Sequence, residues 1–157
     1  MTTGGWQAPE PEPGPAPGLV FGGFGARLVA YIIDIVIFGV IATIVLILGS
    51  LVAVASAGLA GVAGVLILFL LIGVASLAYF PYFWATSGST PGMRTMGLRV
   101  VRDSDGGPIS VGQAVMRLIG YWVSGAVFYL GYIWIFIDKR HRGWHDLIAG
   151  TVVVQRV

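Results

Sequence analysis

Cysteine is absent from the 157-residue chain, which excludes disulfide staples, thiolate metal sites and a cysteine nucleophile. Charge is also scarce. Only 10% of residues are Asp, Glu, Lys or Arg, whereas a water-soluble domain carries about 25%. A formal net charge of +2 gives no electrostatic footprint for nucleic acid. No basic stretch precedes the first apolar run, so that run is not expected to be a cleaved signal peptide. There is no Gly-x-Ser-x-Gly, no dinucleotide glycine fingerprint and no paired catalytic carboxylate. Ser87 to Thr95 has the small residues of a phosphate loop but lacks Gly-Lys-Ser/Thr, and reads as a solvated turn. Neither an enzyme nor a cofactor is expected.

Apolar residues are abundant and come in blocks. They make up 57% of the chain, the mean hydropathy is +0.89, and a helix needs roughly 20 residues to cross a hydrocarbon core. Three blocks reach that length: about 27–48, 61–84 and 118–137. The expected fold is an all-α integral membrane protein with two full transmembrane helices and a third apolar helical segment. The second span closes on Tyr79, Phe80, Tyr82, Phe83 and Trp84, an aromatic belt for one membrane face, with Pro81 expected to kink or end it. Residues 1–20 hold five of the eight prolines and are expected to be a disordered tail, leaving 21–157 as the membrane domain. A strand at 97–102, a turn at 103–108 and a second β-branched strand from Gly150 to Val157 predict a small cytoplasmic β element. Ser110 is a natural N-cap for a helix beginning at Val111.

The third block sets charge against length. Arg94, Arg99, Arg102 and Arg117 precede it, and Lys139, Arg140 and Arg142 follow it. The positive-inside rule wants both clusters in the cytoplasm, which a single crossing forbids. Yet Arg117 to Asp138 spans only about 31 Å as helix, enough for one crossing and not two. The block is therefore either a single span or a re-entrant hairpin bent near Gly125 or Gly131. Only the hairpin lets the two strands pair on one side.

Three ordered motifs resemble the RDD family of bacterial membrane proteins, named for one arginine and two aspartates. They are Arg27-Leu-Val-Ala-Tyr-Ile-Ile-Asp34, Ser89-Thr-Pro-Gly-Met-Arg-Thr-Met-Gly-Leu-Arg-Val-Val101, and the stretch from Asp138 through His145-Asp146-Leu-Ile-Ala-Gly-Thr151. The resemblance implies that Arg27 and Asp34 are the family's arginine and first aspartate. Asp138 is favoured over Asp146 as the second. Met93 stands where the family often has a basic residue, and Arg94 can supply that charge. The resemblance also implies a multi-pass protein of the cell membrane, with ligand transport or cation/proton exchange as suggested roles.

Asp34 is the most informative residue, the single acid deep within an expected span. A charged carboxylate near the bilayer centre costs about 2.5–3.5 kcal/mol on insertion scales, so it needs a partner or a wet cavity. It either binds a cation or exchanges a proton, or it pins helices together through Ser76, Tyr79 or Arg117. Arg27 lies two turns earlier on nearly the same face, with Tyr31 between them as a relay; Arg27 reads foremost as an interfacial anchor. Asp138, at a helix end where the dipole disfavours it, is expected either to form a structural ion pair with Arg94, Arg117 or Arg140 or to share a site with Asp34. His141 and His145 are four apart, but Gly143 and Trp144 interrupt the helix, so no metal site is expected; His145-Asp146 should pack the C-terminal segment onto the cytoplasmic face. Two or three spans scarcely enclose a solute path. The expected partners are the lipid bilayer with its anionic headgroups, and either copies of this chain or a larger membrane complex. The segment before the first span is expected in the cytoplasm.

Overall fold

A computed structural model describes residues 13–56 and 58–156. Two long helices follow from the first two apolar blocks: α1, Phe24–Ser56, and α2, Gly58–Ser87. Both exceed the expected spans, because Gly49-Ser50 does not break α1. The residues beyond them stay apolar, and without water to bond the backbone an apolar chain continues its own helical ladder. The turn waits for Gly58, at φ +66°, a conformation that glycine adopts without strain. Gly61 then brings α2 against α1, since a Cβ there would lie 2.4 Å from the Ala53 carbonyl oxygen. Pro81 sits inside α2 without ending it.

The most apolar 18-residue stretch of α1 has no buried residue at all. Its exposed side chains include Ile47, Leu51 and Val54. A water-soluble fold cannot leave such a surface bare; a lipid-facing helix requires it. The protein is a membrane protein.

After α2 the chain makes α3, Pro91–Thr95. Thr90 caps it by accepting from the Met93 N–H at 3.1 Å, and proline occupies the first turn, where its missing N–H costs nothing. The solvated turn expected here is in fact buried: Ser89, Thr90, Gly92 and Met93 are all inside. Strand β2, Leu98–Arg102, then pairs antiparallel with β3, Thr151–Arg156, from Leu98↔Gln155 to Arg102↔Thr151. The expected pairing is present. A third strand, β1, Leu19–Phe21, covers the other edge of β3, giving the order β1-β3-β2. Leu19 and Val20 thus leave the expected tail, because an open β3 edge offers backbone partners that an apolar segment can take. Residues 13–18 leave it too, folding back on β1 with Pro13 bridged to Val20 and the Gly14 N–H donating to the Leu19 carbonyl at 2.7 Å; residues 1–12 lie outside the described residues.

The third block is bent. Helix α4, Val111–Ala126, begins with a Ser110–Gln113 capping box and meets α5, Leu130–Ile133, and the 3₁₀ turn Trp134–Phe136 at 111°. A straight single span is therefore not what forms. The bend falls at Phe128 (φ 48°) and Tyr129 (φ 61°), between the two glycines expected to make it. Gly131 instead admits Ser124, whose Oγ lies 2.2 Å from where a Cβ would stand. Both flanks of the block return to the sheet: Asp103, just after β2, pairs with Arg140 at 3.0 Å and with Arg142 at 2.9 Å. Helix α6, Trp144–Ala149, packs on α4 and turns through Gly150 (φ 61°) into β3. The main core joins sheet to helices through Ala30, Trp84, Leu98, Val100, Ala114 and Val153.

Candidate functional site

Asp34 lies on α1, 1% exposed. Tyr79 OH and the Gly92 N–H donate to its Oδ1 at 3.0 and 2.7 Å, and Thr90 Oγ1 donates to its Oδ2. One carboxylate thereby ties α1 to α2 and to the first turn of α3, where a negative charge suits the helix dipole. Gly92 is required for the approach, since a Cβ there would stand 2.1 Å from the Ala30 carbonyl oxygen and 2.9 Å from Asp34 Cγ. Of the expected partners Tyr79 is found; Ser76 bonds the Gly73 carbonyl, and Arg117 goes elsewhere.

Asp146 is the centre of a second network. It is fully buried and accepts from Arg27 Nη1 at 2.7 Å, from Arg117 Nη1, and from the Gly143 N–H at 3.1 Å. Arg27 Nε also donates to the Gly22 carbonyl at 3.0 Å, and Arg117 Nη1 donates to Thr151 Oγ1. Four elements (α1, α4, α6 and β3) are thus joined through two guanidiniums and one carboxylate. Burial alone would raise the Asp146 carboxyl, but Arg117 and Arg27 overcome it and hold the group below the ordinary carboxylate range. Arg117 also lies over the Trp84 ring, 4.8 Å from its centroid, a cation–π contact. His145 stacks on Tyr121 with centroids 3.9 Å apart. Burial pushes its imidazole down to about 3; Asp146 opposes that shift, and Arg117 and Arg27 reinforce it.

Between the two networks is a cavity of about 40 Å³, lined among others by Asp34 and Thr90 of the first and by Arg27 and Arg117 of the second, with Tyr31, Trp84 and Tyr121. Trp84 Nε1 and Arg117 Nε are buried without a hydrogen-bond partner. The space suffices for a water molecule and does not form a solute path. Among the described residues no group of three or more His, Asp or Glu is placed to hold a metal ion.

One expectation is extended and two need correction. Arg27 is more than the expected interfacial anchor: it is a part-buried ion-pair donor to Asp146, its side chain 11% exposed. Tyr31 is no relay between Arg27 and Asp34: it faces outward, 46% exposed, and stacks on Phe80 with centroids 5.8 Å apart. Asp138 stands apart from Arg27 and Asp34, bound by Arg142 at 3.0 Å and by the Arg140 N–H at 3.1 Å. The Arg142 hydrogen bond holds its carboxyl below the usual range. Arg27, Asp34 and Arg117 do line one cavity; Asp146 joins the two arginines to each other, a link the sequence alone did not indicate. The missed Thr90 did carry a signal: threonine directly before proline is an N-cap pattern.

The profile of the RDD family matches residues 21–150, from the last residue of β1 to the residue before β3. The chain belongs to the RDD family. Among curated relatives it is similar to the uncharacterized protein YxaI of Bacillus subtilis, 37% identical over 84 residues, covering 53% of this chain and 54% of YxaI. It is also similar to the proline-rich antigen homolog of Mycobacterium tuberculosis, 28% identical over 85 residues, covering 52% of this chain and 35% of that protein. The match thus spans about half of YxaI and about a third of the mycobacterial protein. No solved structure matches the chain. Both Asp138 and Asp146 fall within the residues matched to the RDD family, but Asp146 is the carboxylate that Arg27 contacts.

Proposed function

We propose that this RDD protein is a membrane-embedded subunit, without catalytic chemistry, that assembles with a larger membrane complex or with copies of itself. Its buried Arg and Asp residues act as a clamp between helices and sheet. One observation carries this reading: both oxygens of Asp34 are already occupied by three donors from the protein. An ion-binding carboxylate needs lone pairs directed at its ion; this one directs them at α2 and α3. The chain supports the assembly reading too, since two long helices and one bent segment leave their apolar faces open.

A second reading, cation/proton exchange by a homo-oligomer, is favoured by the cavity that Asp34 lines together with Arg27 and Arg117. Ionisable groups inside membranes commonly mark proton or ion pathways.

Of the two topologies the sequence left open, we propose the one with two crossings, the bent segment re-entrant and the sheet on the cytoplasmic side of the cell membrane. All nine Lys and Arg residues lie in or beside the sheet end of the chain, and the α1–α2 turn carries no charge. Positive-inside bias then puts that end, with the segment before α1, on the cytoplasmic side.

The test combines assembly with flux. Purification in mild detergent and native mass spectrometry should yield a stoichiometric complex, and Asp34→Asn should weaken the fold without revealing a lost flux. Proton-coupled cation movement by wild-type liposomes, abolished in a folded Asp34→Asn protein, would replace the clamp reading with the exchange reading.

A further inference from the structure

Charge pairing divides the basic residues into two groups. Arg27 and Arg117 share Asp146, Arg102 pairs with Asp105, and Arg140 and Arg142 pair with Asp103 and Asp138. Among the described residues, Arg94, Arg99, Arg156 and Lys139 have no acidic partner. Three of these four line a single groove of about 750 Å³ on the outer side of the sheet. They come from different elements: Arg94 from α3, Arg99 from β2 and Arg156 from the end of β3. All three are exposed, and Ser89 and Gly97 line the same groove.

The position of the groove identifies its occupant. Arg99 runs across Gly88, the residue that follows α2, with its Nε 2.8 Å from where a Cβ would stand. The arginines therefore gather where a spanning helix leaves the hydrocarbon, at the level of lipid headgroups. We infer that this groove binds the phosphate headgroup of an anionic phospholipid of the adjoining leaflet. Guanidinium forks match phosphate oxygens bidentately. The inference rests on the proposed membrane placement of the sheet end, and holds whether the protein is an accessory subunit or an exchanger.

Each basic residue near a charged leaflet contributes about a fivefold gain in binding, so loss of three should cost roughly a hundredfold. The full chain is purified in detergent with mixed phosphatidylglycerol and phosphatidylcholine, and retained lipid is read by native mass spectrometry. The wild type should keep phosphatidylglycerol in preference to phosphatidylcholine. The Arg94→Gln/Arg99→Gln/Arg156→Gln variant should lose that preference, and Lys139→Gln, outside the groove, should keep it. Equal retention of both lipids by the wild type, or unchanged retention by the triple variant, would overturn the site. So would displacement of phosphatidylglycerol by millimolar inorganic phosphate, which would mark a soluble phosphate ligand. A chain that retains phosphatidylglycerol only after removal of residues 2–12, which carry Glu10 and Glu12, would assign the groove to its own acidic segment instead. Because the readout is in detergent, failure here leaves the proposed topology and assembly standing, to be judged by their own measurements.

Discussion

His145 shows how burial turns an ordinary residue into a pH-sensitive one. It is 2% exposed, its Nδ1 has no partner, and Asp146 lies 3.5 Å from its Nε2. The groups facing it are Asp146, Arg117 and Arg27, with the rings of Tyr121 and Tyr132. Its folded value of about 3 lies below the unfolded value of roughly 6.5. As pH falls below 6.5, the unfolded chain takes up this proton first, and stability declines towards pH 3. Over the 1.5 units to pH 5 the loss is about 2 kcal/mol. Asp146 titrates below the ordinary carboxylate range, so its own contribution is lost at still lower pH. Thermal unfolding in detergent at pH 7 and pH 5 should show the drop in the wild type and most of it removed in His145→Phe. An equal drop in both would assign the pH dependence elsewhere. At this scale Asp34 was legible because an acid in an apolar run stands out. Asp146 was not, since nothing local distinguishes it from Asp138; the two Arg partners that select it lie 119 and 29 residues away.

At the scale of the element, the closest backbone approach of α2 to α1 rests on Gly61 and not on Gly64. Gly61 faces the Ala53 carbonyl, whereas a Cβ on Gly64 would meet nothing within 4 Å. Gly61→Ala should therefore push the helices apart and cost about 1–3 kcal/mol, the range for overpacking. Gly64→Ala should be neutral or slightly stabilising, because alanine favours helix over glycine. Paired thermal melts check both, and equal effects would dissociate the hairpin from this contact. The small-residue spacings Ala57-x-x-x-Gly61 and Ala60-x-x-x-Gly64 permit close helix approach at either glycine without ranking them. The ranking depends on the helix crossing, which spacing does not encode. The bend of the third block behaves likewise: two aromatic residues at positive φ form it, a conformation that sequence rules assign to glycine.

For the whole molecule, the decisive quantity is the number of crossings. Absence of cysteine makes single-cysteine labelling clean. Ser56→Cys, at the end of α1, should react with an impermeant maleimide from outside intact cells. Asp105→Cys and Lys139→Cys should react only after the membrane is opened. Labelling of Lys139→Cys from outside would make the bent segment a broken span and separate the two flanks that Asp103 now joins.

The sequence alone determined that the chain belongs in a bilayer, to within a few residues where its two long helices begin, that strands form near 97–102 and 150–157, and that Asp34 needed a partner. Each of these follows from local quantities: hydropathy over a window, β-branched runs, and the cost of one charge in hydrocarbon. The tertiary structure alone decided which carboxylate meets Arg27, that Tyr31 turns outward, that Leu19–Phe21 joins the sheet, and where uncompensated arginines gather. Those outcomes depend on which distant groups share a buried space, and burial sets the energy of a charge only once its neighbours are in place.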